Sequence, residues 1–270
     1  MIPQLLFDIA KCNNFISLLP AVRVHPCNQI VDYQRMQGAI NINDFQLPEP
    51  WSGDILSAPI LFISSNPAYS FNELFPTILW PDPMIADFFI NRFIDRGPIH
   101  SWVFGNKVLL RNGKRSQSVR YWASIRNRAS ELLGRNALPG IDYCLTELVH
   151  CKSVKEIGVR SALPECTQKY LNRKVVICGA KLIVGVGSYV KNYFGGIGSF
   201  GGIPIIYLPA PNSFSPHTFS GNYTVGQIKE MQITLAENLQ RLNNIDFSAI
   251  NLPSREEVAA FIDQQLSGIT

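Results

Sequence analysis

The run Ala58-Pro59-Ile60-Leu61-Phe62-Ile63 is almost wholly apolar and stops at Ser64-Ser65-Asn66-Pro67. A short apolar run closed by polar residues and an Asn-Pro turn predicts a strand buried on both faces, delivering an amide side chain to the rim of a sheet. The design recurs at Ile203 to Leu208, which runs into Pro209-Ala210-Pro211-Asn212-Ser213. Ile141 to Val149 and Leu182 to Gly187 complete a set of four predicted strands, and the far end of the former presents Thr146, Glu147 and His150.

Between these runs the apolar period becomes helical. Met84, Ile85, Phe88, Phe89 and Phe93 predict a helix over Pro83 to Arg96 closed by Gly97, and Val119 to Leu133, stopped by Gly134, predicts a second with Arg120, Arg126 and Arg128 on its basic face. Pro164 suits the first turn of a helix reaching about Cys178, with Glu165 favourable at its positive end. A short helix carrying Tyr189, Val190 and Tyr193 leads into Gly195-Gly196-Ile197-Gly198. That glycine-rich stretch precedes a strand and lacks a closing Gly-Lys-Ser/Thr, so it is expected as a turn and not a phosphate loop. Thr224 and Gln227 form a capping box before Ile228, Met231, Leu235, Leu239 and Leu242, and Ser254 to Gln265 reads as a surface helix.

Strands alternating with helices predict a three-layer α/β/α domain around a central four-stranded, mainly parallel sheet, spanning residues 51–270. Residues 1–50 are proline-dotted and read as an N-terminal wrap of the same domain, irregular apart from a short helix near Ile2 to Lys11. In open sheets of this kind ligands sit beyond the carboxyl ends of the strands, so the two proline turns are candidate opposite walls of one pocket.

Composition narrows the classes. In a chain of 270 residues, 46% hydrophobic and 16% charged residues exclude a disordered or fibrous protein. No run approaches the roughly 18 apolar residues of a membrane span, and the N-terminus lacks a secretory signal's basic start, so a cytoplasmic protein is expected. Six cysteines in a chain this long are expected as reduced thiols. There is no Cys-x-x-Cys pair, and His25, His100, His150 and His217 never fall at ligand spacing, so no zinc is expected. Net charge is +4, yet residues 101–130 hold seven basic residues and no acidic one, which leaves the remainder at −3. Lys107, Arg111, Lys114, Arg115 and Arg120, interleaved with Trp102, Tyr121 and Trp122, are therefore the candidate nucleic-acid surface, cations tracking phosphates and rings stacking on bases.

From about Ile60 to Leu242 the chain resembles the uracil-DNA glycosylase superfamily. Leu61 to Pro67 is similar to the first motif of the mismatch-specific and single-strand-selective branches, a Gly-x-Asn-Pro-Gly turn whose asparagine positions water. Thr146 to Cys151, followed by Leu163 to Leu171 with its Pro-Glu and Cys-x-x-x-Tyr-Leu elements, resembles the thermophilic iron-sulfur branch, as does Lys181 to Gly187. Leu208 to Ser213 stands where the family keeps a second motif, usually His-Pro-Ser.

The resemblance implies a monomeric hydrolase of the N-glycosidic bond, acting in DNA repair on single- or double-stranded DNA with no membrane partner. The altered or mismatched base must leave the stack, enter a pocket and be read at its edge. Asn66 would hold the water, flanked by Ser65 and Pro67, and Phe75 would stack on the base, with Tyr69 and Phe71 in reserve. Glu147 would read the base where the family has asparagine; an ionised carboxylate only accepts, so it must be protonated to read uracil, or else be paired with an Arg or Lys. Ala210 replaces the family's leaving-group histidine, which leaves Asn212 or His217 for that role, with Ser213 nearby. Cys151 and Cys166 match two cluster ligands of the iron-sulfur branch. The other two would be Cys12 and Cys27, but fourteen residues separate them where the family has a close pair, so no cofactor is expected. A superfamily member that lost catalysis and only binds nucleic acid or protein is the alternative.

Overall fold

The computed structural model describes residues 2–20, 23–236 and 251–267. Four strands lie parallel: β1 (Ile60–Ser64), β4 (Tyr143–Glu147), β5 (Leu182–Val186) and β7 (Ile203–Leu208), in the sheet order β4-β1-β5-β7. A fifth strand, β6 (Ser199–Phe200), joins the β7 edge antiparallel. The sheet thus exceeds the predicted four strands because the glycine-rich turn brings Ser199 and Phe200 back alongside Ile203 and Pro204.

The apolar runs have no alternation because each strand is covered on both faces. Leu61, Ile63, Cys144, Ile183 and Ile205 point into one hydrophobic cluster, and Ile60, Phe62, Tyr143, Leu145, Val184 and Leu208 into another. This period of two divides the molecule into three layers. One face is covered by α5 (Arg120–Leu133) and α9 (Val225–Ala236), through Ile125, Ala129, Leu132, Met231 and Leu235. The other carries α1 (Ile2–Ala10), α4 (Asp82–Ile90), α7 (Asn172–Ile177), α8 (Ser188–Phe194) and α10 (Arg255–Ser267).

The first fifty residues are more ordered than the sequence predicts. Besides α1 they form α2 (Asn13–Leu18) and α3 (Asn28–Met36), and Leu6, Ile9, Phe15, Leu18, Ile30 and Val31 join the same core as the sheet. The chain then runs beside β4, where Ser52 and Leu145 exchange backbone hydrogen bonds of 2.8 and 3.0 Å and cover that edge. Short helices broken by prolines have too few turns for their period to be read, but each buries a few large apolar side chains.

Three boundaries move. Helix α4 ends at Ile90, not Arg96, because Arg92 and Arg96 turn inward to buried acids. The predicted Pro164 helix begins earlier, as α6 (Val159–Cys166) with Pro164 inside it, and passes through a π-turn over Thr167–Leu171 into α7. A small hairpin, β2 (Val103–Phe104) with β3 (Lys107–Val108), was not predicted; Gly105 and Asn106 turn it with φ of 57° and 62°. The Thr224 capping box forms, whereas Leu239 and Leu242 lie outside the described residues. Among those residues no helix is long and apolar enough to cross a membrane.

Gly179 is the tightest backbone crossing. Its N–H donates to Ile55 O at 2.9 Å, and a Cβ there would stand 1.9 Å from Leu56 O. Gly179→Ala is expected to destabilise the protein by about 1–3 kcal/mol, read as a lower urea midpoint with unchanged slope.

Candidate functional site

Parallel register sets Ser64 beside Glu147 at the carboxyl edge of β1 and β4. The ladder continues past the strands, with Leu148 N–H donating to Ser64 O (2.9 Å), Val149 N–H to Ser65 O (3.0 Å) and Ser153 N–H to Pro67 O (3.1 Å). The early turn therefore lies against residues 148–153. Half-buried Asn66 donates from Nδ2 to Pro67 O (3.0 Å), Ser153 O (3.3 Å) and Ser153 Oγ (3.1 Å). Two of these acceptors are carbonyls, which fixes the amide's orientation and leaves Oδ1 as its acceptor face.

The late turn closes with Ser213 N–H donating to Ala210 O at 2.9 Å, and Arg128 Nη2 on α5 grips Pro209 O at 3.1 Å. Asn212 and Ser213 are exposed, His217 is half-buried, and the neighbouring Phe214 is fully exposed. Asn66 and Asn212, expected to face one another, share no hydrogen bond: Asn66 spends its donors on its own side of the sheet while Asn212 points to solvent.

Glu147 is 5% exposed and its Oε2 has no hydrogen-bond partner. The pairing with Arg or Lys weighed from the sequence does not form at its carboxyl. Lys174 on α7 instead donates to the Glu147 backbone O (2.7 Å) and to Thr146 Oγ1 (2.9 Å). Arg92 bridges Glu49 (2.7 Å) and Glu73 (2.8 Å), and Lys152 binds Glu73 at 3.0 Å. Burial, with the Glu49 charge adding to it, raises the Glu147 pKa well above the usual carboxylate range, so it is a neutral acid at neutral pH. Glu49 remains ionised: the nearby Arg92 and Lys152 outweigh its burial and lower its pKa. Two carboxyls pushed apart in this way make an acid and a base in one cluster. Burial also lowers Lys174 to about 8 and Arg128 to about 10. Two Arg128 nitrogens, Nε and Nη1, are buried without partners, and the Tyr121 hydroxyl lies against Ser64 within the field of both Glu147 and Arg128.

Several expected roles are corrected. Phe75 is 1% exposed and offers no open face: Phe88 and Phe89 pack on it, and Lys152 Nζ sits 3.3 Å from its ring centre. The buried cations need that ring as a partner. Tyr69 is buried edge-on against Tyr33 of the wrap, and Phe71 stacks under Arg111. Trp102 is a core ring donating to Asp87 at 2.8 Å, and Trp122 packs on Phe93 and Arg92. Of the basic candidates, Lys107, Lys114 and Arg120 are exposed. Arg111 faces Asp44, and Arg115 is spent on carbonyls, among them Ser101 O at 2.6 Å and Pro98 O at 2.9 Å.

Glu49, Arg92, Arg128, Lys152 and Lys174 were not predicted as site residues. Their signal was an acid between two prolines and cations on otherwise apolar stretches, which marks buried pairing but not its location.

A second cluster lies on the opposite side of His150. Cys12, Cys27, Cys151 and Cys166 line one cavity together with His150, Lys169 and Tyr170. All four are buried free thiols. The fourteen-residue gap that argued against a cluster is closed by folding: Cys12 and Cys27 each stand just before a helix, α2 and α3, and those helices pack together. Free volume there is small, about 10 Å³, so this is a lined niche and not a substrate cleft. Burial raises Cys27 to about 12 and Cys166 to about 11, so a metal group would enter with release of protons. Among the described residues no three His, Cys, Asp or Glu side chains close around a single metal ion. Four thiols around one niche suit a multi-iron cluster, where the four thiolates are shared among several irons.

No protein-family model matches the chain, and no curated protein matches it significantly in sequence.

The neutral Glu147 has a measurable sign. Above about pH 4.5 an unfolded glutamate has lost its proton while Glu147 keeps it, so the native state binds more protons and stability falls as pH rises towards the folded pKa. Glu147→Gln is expected to flatten that slope in melts across pH, gaining on the wild type at neutral pH and matching it in acid.

Proposed function

We propose that this chain is a DNA glycosylase-like hydrolase that removes an altered or mismatched base, with an iron-sulfur cluster on Cys12, Cys27, Cys151 and Cys166. The observation that carries the reading is the convergence of those four cysteines, from four separate segments, on one buried niche. Cys151 and Cys166 are the two that the resemblance to the iron-sulfur branch singles out, and Cys12 and Cys27 are the partners it requires. When bound, the cluster supplies a thiolate-held centre that ties α2, α3, the segment after β4 and α6 to one point.

The chemistry of base removal falls to the carboxyl edge of the sheet. Asn66 keeps Oδ1 as an acceptor while Ser153 pins its amide, which is what orienting a water requires. Glu147, as a neutral acid, offers a donor and an acceptor to a base edge. Asn212 and His217, on the exposed late turn, are the candidates to support the leaving base, and Lys107, Lys114 and Arg120 to contact phosphates. DNA is the partner, the chain acts as a monomer, and the cytoplasm is its compartment.

Protein purified without oxygen is expected to carry iron and sulfide with broad visible absorbance, lost in Cys12→Ser and Cys166→Ser. On a panel of damaged single- and double-stranded substrates, alkali-labile sites should appear at enzyme excess, and Asn66→Ala should slow their formation by ~100-fold or more. No cleavage of any substrate by iron-loaded protein refutes the catalytic reading.

A binding-only role is favoured by the buried Phe75 ring and by Ala210. It predicts DNA affinity that falls steeply with salt, weakens on reversing Lys107, Lys114 and Arg120, and is indifferent to Asn66→Ala.

A further inference from the structure

The wrap residue Glu49, outside every motif of the resemblance, sits at the centre of the buried charges beside the sheet edge. It is 6% exposed and held in Pro48-Glu49-Pro50; its N–H donates to His150 O at 2.9 Å, and its carbonyl takes the His150 Nδ1 contact at 2.6 Å. Glu49 Oε1 accepts from Ser52 Oγ and from Arg92 Nη1, both at 2.7 Å.

The groups facing Glu147 come from every surrounding element. They are Glu49 from the wrap, Arg92 beyond α4, Lys152 after β4, Lys174 on α7, and Tyr121 on α5. Each cation among them already has acceptors elsewhere: Arg92 on Glu49 and Glu73, Lys152 on Glu73, Lys174 on Thr146 Oγ1 and a carbonyl. Glu147 Oε2 is left buried and without a partner. An isolated buried carboxylate is too costly to persist, so the group keeps its proton.

We propose that Glu49 is a positioning residue: by occupying Arg92 and placing a fixed negative charge beside Glu147, it keeps the Glu147 side chain a neutral acid with one donor and one acceptor side by side. That pattern complements a cis-amide edge, an N–H next to a C=O, and repels an amino-pyrimidine edge, whose exocyclic donor faces a donor. The consequence for base choice rests on the glycosylase reading; the protonation of Glu147 does not.

The test is carboxyl carbon NMR of the full chain labelled at glutamate Cδ, with the Glu147 resonance assigned by its loss in Glu147→Gln. In the wild type the resonance is expected to stay at the protonated position through neutral pH. In Glu49→Gln, which frees Arg92 and removes the facing charge, its midpoint should fall by about one pH unit or more. An ionised Glu147 at neutral pH in the wild type overturns the proposal even if Glu49→Gln does not fold, and so does an unmoved midpoint in a folded Glu49→Gln. In excision assays, activity should decline at lower pH in Glu49→Gln than in the wild type. Glu147→Gln, whose amide also pairs a donor with an acceptor, should keep the cis-amide preference without that decline. Absence of excision by the wild type removes the glycosylase reading alone, since the titration still decides the role of Glu49.

Discussion

The structure turns on the burial of Arg92. A guanidinium 2% exposed, just past the end of α4, holds Glu49 of the wrap and Glu73 of the loop after β1, while Lys152, from the segment after β4, shares Glu73. Three connections that the chain makes far apart are thereby locked beside the carboxyl edge of the sheet. Buried ion pairs of this kind add little net stability over apolar packing, but leaving one partner uncompensated costs about 3–5 kcal/mol. Their effect is therefore on geometry: wrap, loop and sheet edge can meet only in the arrangement that neutralises every charge except the proton-bearing Glu147.

The aromatic rings follow from the same constraint. Phe75 and Phe88 flank Arg92, and Lys152 stands over the Phe75 ring, so rings expected at a binding surface are drawn inward as partners for cations. What remains outside is a small basic group, Lys107, Lys114 and Arg120, and the late turn with Asn212, Ser213 and Phe214.

Charge cluster and cysteine niche meet at one backbone ladder. Pro48, His150 and Cys151 line the niche, while the adjoining Glu49 and Lys152 turn to the charges, and Glu49 and His150 are bonded to each other twice. A group held by the four thiols would thus bear on the segment that carries Glu49, two residues from the Thr146–Pro50 contact beside Glu147.

The four parallel strands, the sheet-covering helices α5 and α9 and the capping box at Thr224 were legible in the sequence, because burial on two faces and helical stripes leave their mark within ten or fifteen neighbouring residues. The position of Asn66 at a strand end was legible for the same reason. The sequence did not reveal that Cys12 and Cys27 reach Cys151 and Cys166, that Glu49 rather than a lysine answers Glu147, or that Phe75 is enclosed. Each of these depends on contacts between residues some 25 to 140 positions apart, and the physical cause is pairwise: a buried charge or thiol is defined by the group packed against it, and only the tertiary fold chooses that group.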